Sequence, residues 1–424
     1  MIRRIDALSY RSLKYVSQPL GRFQILVGPN ASGKSSFLDV PAFLGDLLRV
    51  GPSRAILGDK RVGLSQRAPD ITHLFWMRQG ARFELAIELT IPPDRRRLLG
   101  NGGHSVCRYE VAVGLQDQAG AASLLAETLW LRPADEPNVA VPRSLFPQTT
   151  LPPAQIIHTK TPTGWRRVVN KVEESGNDYF SSETSGWNNL FRLGPSKSAL
   201  ANLPEDEAKF PIATWLKRML LDGIQRIALN SEPMRRPSPP GESRLFAADG
   251  SNIPWVVARL MEESPNQFAR WIEHVQTVLP DLESISTRER PEDRHRYLVA
   301  KYRSGLEEPS WLTSDGTLRL LALTLLAYVP DLAGIYLIEE PENGVHPKAV
   351  EAVFQSLSSV YSAQVLCATH SPIILSMVDA DDVLCFAKND DGSTDIVKGT
   401  EHPRLRQWKG ETDLGTLFAS GVLG

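Results

Sequence analysis

The spacing of apolar positions changes several times along the chain. Near the start, IRRIDALSY (2–10) and RFQILVG (22–28) alternate or run apolar and predict two strands, with a helix opening at about Lys34. RFELAIELTIP (82–92) and RYEVAVGLQ (108–116) predict two more strands. From about 131 to 200 the pattern breaks down. Pro, Ser, Thr, Asn and Gly crowd together, and only short strands such as WRRVVNKVEE (165–174) stand out. Trp165, Trp187 and Phe191 still punctuate this stretch, so it reads as an irregular, β-leaning insertion and not as a disordered linker. Helices are expected at 205–222, 252–263 and 267–279, then a strand at 295–304 and a helix buried on most of its surface at 316–329. The last portion alternates strand and helix through GIYLI, HPKAVEAVFQSLSSVY, AQVLCATH, PIILSMV and DVLCFAK. That alternation predicts an α/β fold, a parallel sheet with helices on its faces. There is no internal repeat and no sustained heptad run, so a long coiled coil is not expected.

Composition narrows the picture modestly. The 424 residues suggest two or three domains' worth of chain, and 42% hydrophobic with 23% charged residues is ordinary for a globular protein. Lys plus Arg (47) nearly balances Asp plus Glu (49), which argues against wholesale coating of nucleic acid or membrane but not against a local basic patch. Cys107, Cys367 and Cys385 are odd in number, far apart and without CxxC spacing. A disulfide framework or zinc site is therefore not expected, and a reducing cytoplasm fits best. The N-terminus lacks a long apolar segment, and the greasiest stretch, LRLLALTLLAYVPDLAGIYLI, is interrupted by Arg319, Pro330 and Asp331. Neither a signal peptide nor a membrane span is expected.

Candidate chemistry sits at four places, the first at the end of a strand. GPNASGKSS (Gly28–Ser36) matches GxxxxGK followed by Ser, at Gly28, Gly33, Lys34 and Ser35, between an apolar strand and a helix start. Such a loop turns backbone N–H groups onto phosphate oxygens, and its glycines permit the backbone angles and the close approach. The following helix adds the positive end of its dipole. Lys34 is placed to reach β- and γ-phosphates and the Ser35 hydroxyl to ligate Mg²⁺. A glycine turn with a chance GKS is the bland alternative, and the strand–loop–helix context weighs against it.

The second is IYLIEEPENGVHP (335–347), where four apolar residues run into adjacent carboxylates, Glu339 and Glu340. A continuous apolar run suits a central parallel strand, whose carboxyl end is where ligands gather. Adjacent side chains point to different sides. Glu339 can therefore face Mg²⁺ while Glu340 polarises an attacking water, and the metal is the expected counter-charge. LTSDGTLRLL (312–321) sets Ser314 and Gly316 at another helix start, able to hold a phosphate. QVLCATHSP ends a further apolar strand on His370, where it could sense a γ-phosphate.

The order of these four features resembles the ABC-class ATPases, and within them the RecF/SMC/OLD-like branch, often described as AAA-family ATPases. GPNASGKSS resembles that branch's GxNxxGKS loop, which brings Asn30, Ser32 and Ser36 into the candidate nucleotide site. SDGTLRLLAL is similar to its signature, EEPENGVHP to its Walker B block and ATHSP to its switch, and IDALSYRSLKY and DGSNIPWVVARL also look like that group. The resemblance implies an ABC-type head with an N-terminal antiparallel β portion and a mixed insertion between Walker A and signature. It divides the chain into an N-terminal lobe (1–130), an insertion or lid (131–245) and a C-terminal lobe (246–424). It also implies ATP and Mg²⁺ as cofactors and a head-to-tail homodimer, with Ser314 and Gly316 acting on the partner's ATP and hydrolysis slow without a partner. Glu339 stands where the branch usually has Asp. The helper glutamine is not placed: Gln66 and Gln79 both lie at a plausible distance.

Three functions are compatible with such a head. One is a regulatory ATPase acting on a separate effector, encoded nearby, as in bacterial anti-phage and toxin systems. Another is a DNA-repair ATPase gripping DNA directly, for which PDRRRLL (93–99), PMRRP (233–237) and RERPEDRHRY (288–297) are candidate clusters, though charge runs are usually solvated faces. A transporter subunit fits worst, since 280 residues separate Lys34 from Ser314. Only 54 residues follow His370, too few for an appended nuclease domain, and Asp379 and Asp381 in VDADD read as a polar turn.

Overall fold

The computed structural model describes residues 1–100, 103–115, 121–134, 143–172, 178–241, 246–330, 332–406 and 414–421. Gln116 of the expected 108–116 strand and the last two residues of 165–174 lie outside them. Strands β1 (Ile2–Tyr10), β2 (Leu13–Pro19) and β3 (Phe23–Val27) precede a helix at Lys34–Val50. Then come β4 (Arg82–Thr90), β5 (Val106–Leu115), β6 (Ala122–Arg132), β7 (Arg166–Lys171), β8 (Tyr179–Ser181) and β9 (Asn188–Leu190). A helix at Pro211–Asp222 leads to β10 (Ile224–Ile227), and helices Ile253–Glu263 and Pro265–Gln276 lead to β11 (Leu282–Glu289), β12 (Arg296–Tyr302) and β13 (Glu307–Pro309). The remainder is helix Asp315–Leu325, β14 (Ile335–Glu339), helix Pro347–Ser358, β15 (Gln364–Ala368), β16 (Val383–Lys388) and β17 (Thr394–Lys398), with short helical turns between.

These strands form an antiparallel eight-stranded sheet, β2-β1-β4-β5-β6-β7-β8-β9, a six-stranded sheet, β10-β14-β15-β3-β16-β17, and a small β11-β12-β13 meander. In the six-stranded sheet β10, β14, β15, β3 and β16 are parallel, and only β17 runs against its neighbour. The α/β expectation with an antiparallel N-terminal portion holds. Residues 131–245, expected as one insertion, contribute to both sheets: β7 to β9 extend the eight-stranded one and β10 joins the parallel one.

Period-two alternation explains how the parallel sheet is covered on both faces. Ile335, Leu337, Leu366, Leu26, Leu384 and Phe386 point into one core, which also holds Phe37, Phe43 and Leu44 of the Lys34–Val50 helix and the inner face of the eight-stranded sheet. Their alternates Tyr336, Ile338, Val365, Cys367, Ile25, Val27 and Cys385 point into a second core with Leu321 and Val353 from the helices beyond. The three cysteines are buried and unpaired, as hydrophobes. A buried Gln364 ties the two sheets: its Nε2 donates to the carbonyls of Ile2 and Gly21, both at 2.7 Å, and its Oε1 accepts the Ile2 N–H at 2.8 Å.

The outer face of the eight-stranded sheet is charged. On β4, Glu84 and Glu88 alternate with core-facing Phe83, Leu85 and Ile87. Residues 156–158 cover that face, with the Ile156 N–H donating to Glu84 and the His158 N–H to Glu110. The longest described helix has 17 residues, and no helix among the described residues is long and apolar enough to cross a membrane.

Candidate nucleotide and metal site

The loop Gly28–Ser36 leaves β3 and enters the Lys34–Val50 helix through residues that need positive φ: Gly28 (153°), Ala31 (61°) and Gly33 (108°). Glycine is required at two of them by contact as well. A Cβ on Gly28 would lie 2.2 Å from the Phe386 carbonyl oxygen, and one on Gly33 would lie 2.1 Å from Thr394 Oγ1. The loop is therefore packed against the paired strands β16 and β17, and its curvature is a packing requirement of that contact.

A cavity of about 380 Å³ opens above the loop. Asn30, Ser32, Gly33, Lys34, Ser35 and Ser36 line it from the loop, Glu339 and Glu340 from the end of β14, and His370 from just beyond β15. Parallel register explains the convergence, since Glu339 pairs with Ala368 and Ala368 with Leu26. All three strands deliver their carboxyl ends to one edge. Lys34 Nζ donates to the Gly28 and Pro29 carbonyls at 2.7 and 2.9 Å. Burial pushes its ammonium down to about 8, against the pull of Glu340 and Glu339.

The two glutamates have different neighbours. Glu339 continues the face of Ile335 and Leu337 toward the Lys34–Val50 helix, and its Oε2 accepts a hydrogen bond from Ser35 Oγ. Its Oε1 lies 2.5 Å from Arg226 Nη2 on β10. Glu340 lies beyond the strand at φ 50°, exposed, and accepts from Asn343 Nδ2. Sequence reasoning expected a metal as the counter-charge of this pair; in the structure Arg226 supplies one for Glu339. Glu342 Oε1 accepts from Thr369 Oγ1 at 2.7 Å and from the His370 backbone N–H at 2.9 Å, which ties the loop after β14 to His370. Burial, with Lys34 adding to it, lowers the His370 pKa and favours a neutral imidazole.

The residues fit a nucleotide phosphate and Mg²⁺. The buried Ser32 Oγ has no hydrogen-bond partner, the glycines leave a cradle that a Cβ would fill, and Ser35 and Glu339 meet oxygen to oxygen. Lys34 and the loop N–H groups could hold phosphate, and Ser35 and Glu339 are the oxygen donors suited to Mg²⁺.

Ser314 and Gly316 are elsewhere. Ser314 caps the Asp315–Leu325 helix, accepting the Thr317 N–H, and lines a separate cavity with Gly316, Gly344, His346 and Lys348. A Cβ on Gly316 would lie 2.8 Å from the Gly344 carbonyl oxygen, so this helix start rests on the loop that follows Glu340. Neither Gln66 nor Gln79 lines the phosphate cavity; Gln66 lies in an adjoining cleft with Arg67, Asp39 and Arg226. Sequence reasoning missed Ser12 and Lys388, which also line the cavity, and Arg226. For Lys388 the available signal was its place at the carboxyl end of a strand parallel to β3.

Most arginines of the clusters are ion-paired: Arg95 with Glu207, Arg235 with Asp315, Arg236 with Glu232, Arg288 with Glu307, Arg290 with Asp293 and Arg294 with Glu289, whereas Arg96 and Arg97 are exposed on the short helix after β4. Asp381 pairs with Lys398 at 2.8 Å beside a helical turn, as a polar turn would.

Comparison with known proteins agrees with this architecture. A solved head of an Smc protein bound to the C-terminal winged-helix domain of ScpA superposes with a TM-score of 0.52 at 16% identity, covering 93% of this chain and 96% of that one. Another Smc head, bound to the C-terminal domain of ScpA and derived from Pyrococcus furiosus, gives 0.49 at 14% identity, covering 93% and 95%. The first shares the fold: an α/β head of mixed sheets and helices. A family model described as "AAA domain, putative AbiEii toxin, Type IV TA system" matches residues 124–376. Since that match spans more than half of the chain, the protein belongs to this AAA-domain family of P-loop, nucleotide-binding ATPases, and its fold is like that of an Smc head.

Proposed function

We propose that the protein hydrolyses ATP slowly as part of a head-to-tail dimer, and that closing and opening of the dimer regulates a partner effector in a bacterial defence-type system. The observation that carries this reading is the convergence of Lys34, Ser35, Glu339, Glu340 and His370 on one cavity while Ser314 and Gly316 line another. A site split in this way is completed by a second copy. Gly28–Ser36 cradles the phosphates, Lys34 neutralises them, and Ser35 and Glu339 hold Mg²⁺. When bound, the metal supplies charge neutralisation at the β- and γ-phosphates. Glu340 orients a water and accepts its proton, and His370 donates to the γ-phosphate from its neutral ring. In this reading residues 1–130 and 246–424 are the two lobes of the head, with 131–245 between them.

The effector reading draws on the family's toxin-system description and on the binding of an Smc head to a domain of another protein. Direct DNA binding is the alternative, and the ion pairing of six of the clustered arginines weighs against it, while Arg96 and Arg97 are the residues it would rest on. Glu340→Gln should trap an ATP-bound dimer. Light scattering behind size-exclusion chromatography that finds equal monomer fractions with and without Mg-ATP would count against the proposal.

A further inference from the structure

Arg226 carries none of the sequence signals that mark the other site residues. It lies on β10, the edge strand beside β14, in register with Leu337. From there its side chain reaches diagonally to Glu339, two residues further along the same face. One carboxylate thus has both oxygens engaged, Oε1 by Arg226 at 2.5 Å and Oε2 by Ser35. An Asp on the same backbone, one methylene shorter, would retreat from one or both partners. The bridge accounts for glutamate at this position. Glu339 is three-quarters buried and Arg226 half exposed, and the pair compensates the charge of the metal-facing carboxylate at the mouth of the cavity.

This bears on how a cation enters. Among the described residues no group of three or more His, Cys, Asp or Glu side chains could hold a metal ion. Mg²⁺ is commonly bound through one or two carboxylates together with substrate phosphates. A guanidinium against one oxygen of Glu339 lowers the cation affinity of that carboxylate and raises the affinity of the neighbouring loop for anions.

We propose that Arg226 is a positioning residue: it holds Glu339 in an ion pair that a divalent cation must displace, so that metal enters with the phosphates and not before them. The inference rests on reading Gly28–Ser36 as a phosphate loop. Arg226→Met keeps the aliphatic stem and removes the charge, and with the guanidinium half exposed and Ser35 still bonded to Glu339 the loss of stability is small. Mn²⁺ binding to nucleotide-free protein, followed by electron paramagnetic resonance, should tighten about three- to tenfold in Arg226→Met, the scale of one half-screened charge a few ångströms away. ADP binding in EDTA, followed by calorimetry, should weaken by a similar factor. Opposite signs for the two ligands are not expected of a residue that only supports the fold. Unchanged Mn²⁺ affinity, or both ligands shifting in the same direction, overturns the proposal. Wild-type protein that binds no ADP overturns the phosphate-loop reading instead.

Discussion

Glu339 and Glu340 are adjacent in the chain, yet one faces a hydroxyl and a guanidinium and the other faces solvent and Asn343. The alternation of a strand separates them, and the positive φ of Glu340 ends the strand between their tasks. That division was legible from the apolar run before them. Arg226 was not, because an arginine on a short strand carries no signal until β10 is known to lie beside β14. His402 shows the same limit for a group with a stability consequence. It is 2% exposed, its Nδ1 accepts the Arg404 N–H at 3.3 Å, and burial, then Arg404, pushes its pKa from 6.5 down to about 4. Between those values the unfolded chain binds a proton that the folded chain does not. Stability therefore rises with pH through this window and is lost on acidification. The difference is worth roughly 1–3 kcal/mol. His402→Gln should flatten the loss, so its urea midpoints at pH 7 and pH 4.5 should lie closer together than those of wild type. An unchanged spacing would count against a buried, neutral His402.

At the scale of elements, the strands of the parallel sheet were legible because both of their faces are apolar. Others were missed for identifiable reasons. The connection from β1 to β2 turns through Arg11 at φ 52° with no Gly, Asn or Pro to announce it, so two strands were expected where three occur. β6, β11 and β17 were not expected either; β11 and β17 mix apolar with Ser, Thr or charged residues, and are strands because a neighbour pairs with them. The helix expected from 205 begins at Pro211, because the residue before a proline is steered out of the helical region, and Phe210 lies at φ −130°. Its first N–H groups, from Ile212 and Ala213, are capped by Glu183 from a distant strand end at 2.7 Å each.

The Lys34–Val50 helix is held in a comparable way. Arg67 reaches Asp39 at 2.9 Å and Asp46 at 2.5 Å, two turns apart on one helix face, and donates to the Ala55 carbonyl at 2.8 Å. Asp39 is buried and also bonded by Tyr10 and Arg11. Removing the guanidinium strips charge from a buried network. Arg67→Met should therefore cost roughly 2–4 kcal/mol, read as a lower urea midpoint at unchanged slope. A loss under about 0.5 kcal/mol, the usual range for surface substitutions, would show that the clamp is dispensable.

For the whole molecule, the separation of Ser314 and Gly316 from the phosphate cavity makes a prediction that single variants cannot test. In a head-to-tail dimer, Lys34→Ala disables the loop of its own site and Ser314→Arg disables the partner's. Each variant alone should lose ATP turnover by at least tenfold. In a mixed dimer one composite site carries both lesions and the other carries neither, so an equimolar mixture should recover roughly a quarter of wild-type turnover by random pairing, a statistical expectation for two interchangeable chains with isologous assembly. No recovery, with both variants folded and mixed, would exclude a site completed in trans.

The sequence alone determined the chemistry of each strand end and the α/β class. Those depend on residue type, period and short spacing: a glycine-rich loop between strand and helix, and an apolar strand ending in acids. Tertiary structure decided which of these ends meet. It brought Lys34, Glu339 and His370 to one sheet edge across more than 300 residues of chain, kept Ser314 away from them, and set Arg226 against Glu339. Strand order and register carry that information, and they follow from the packing of two cores against one sheet rather than from any local run of residues.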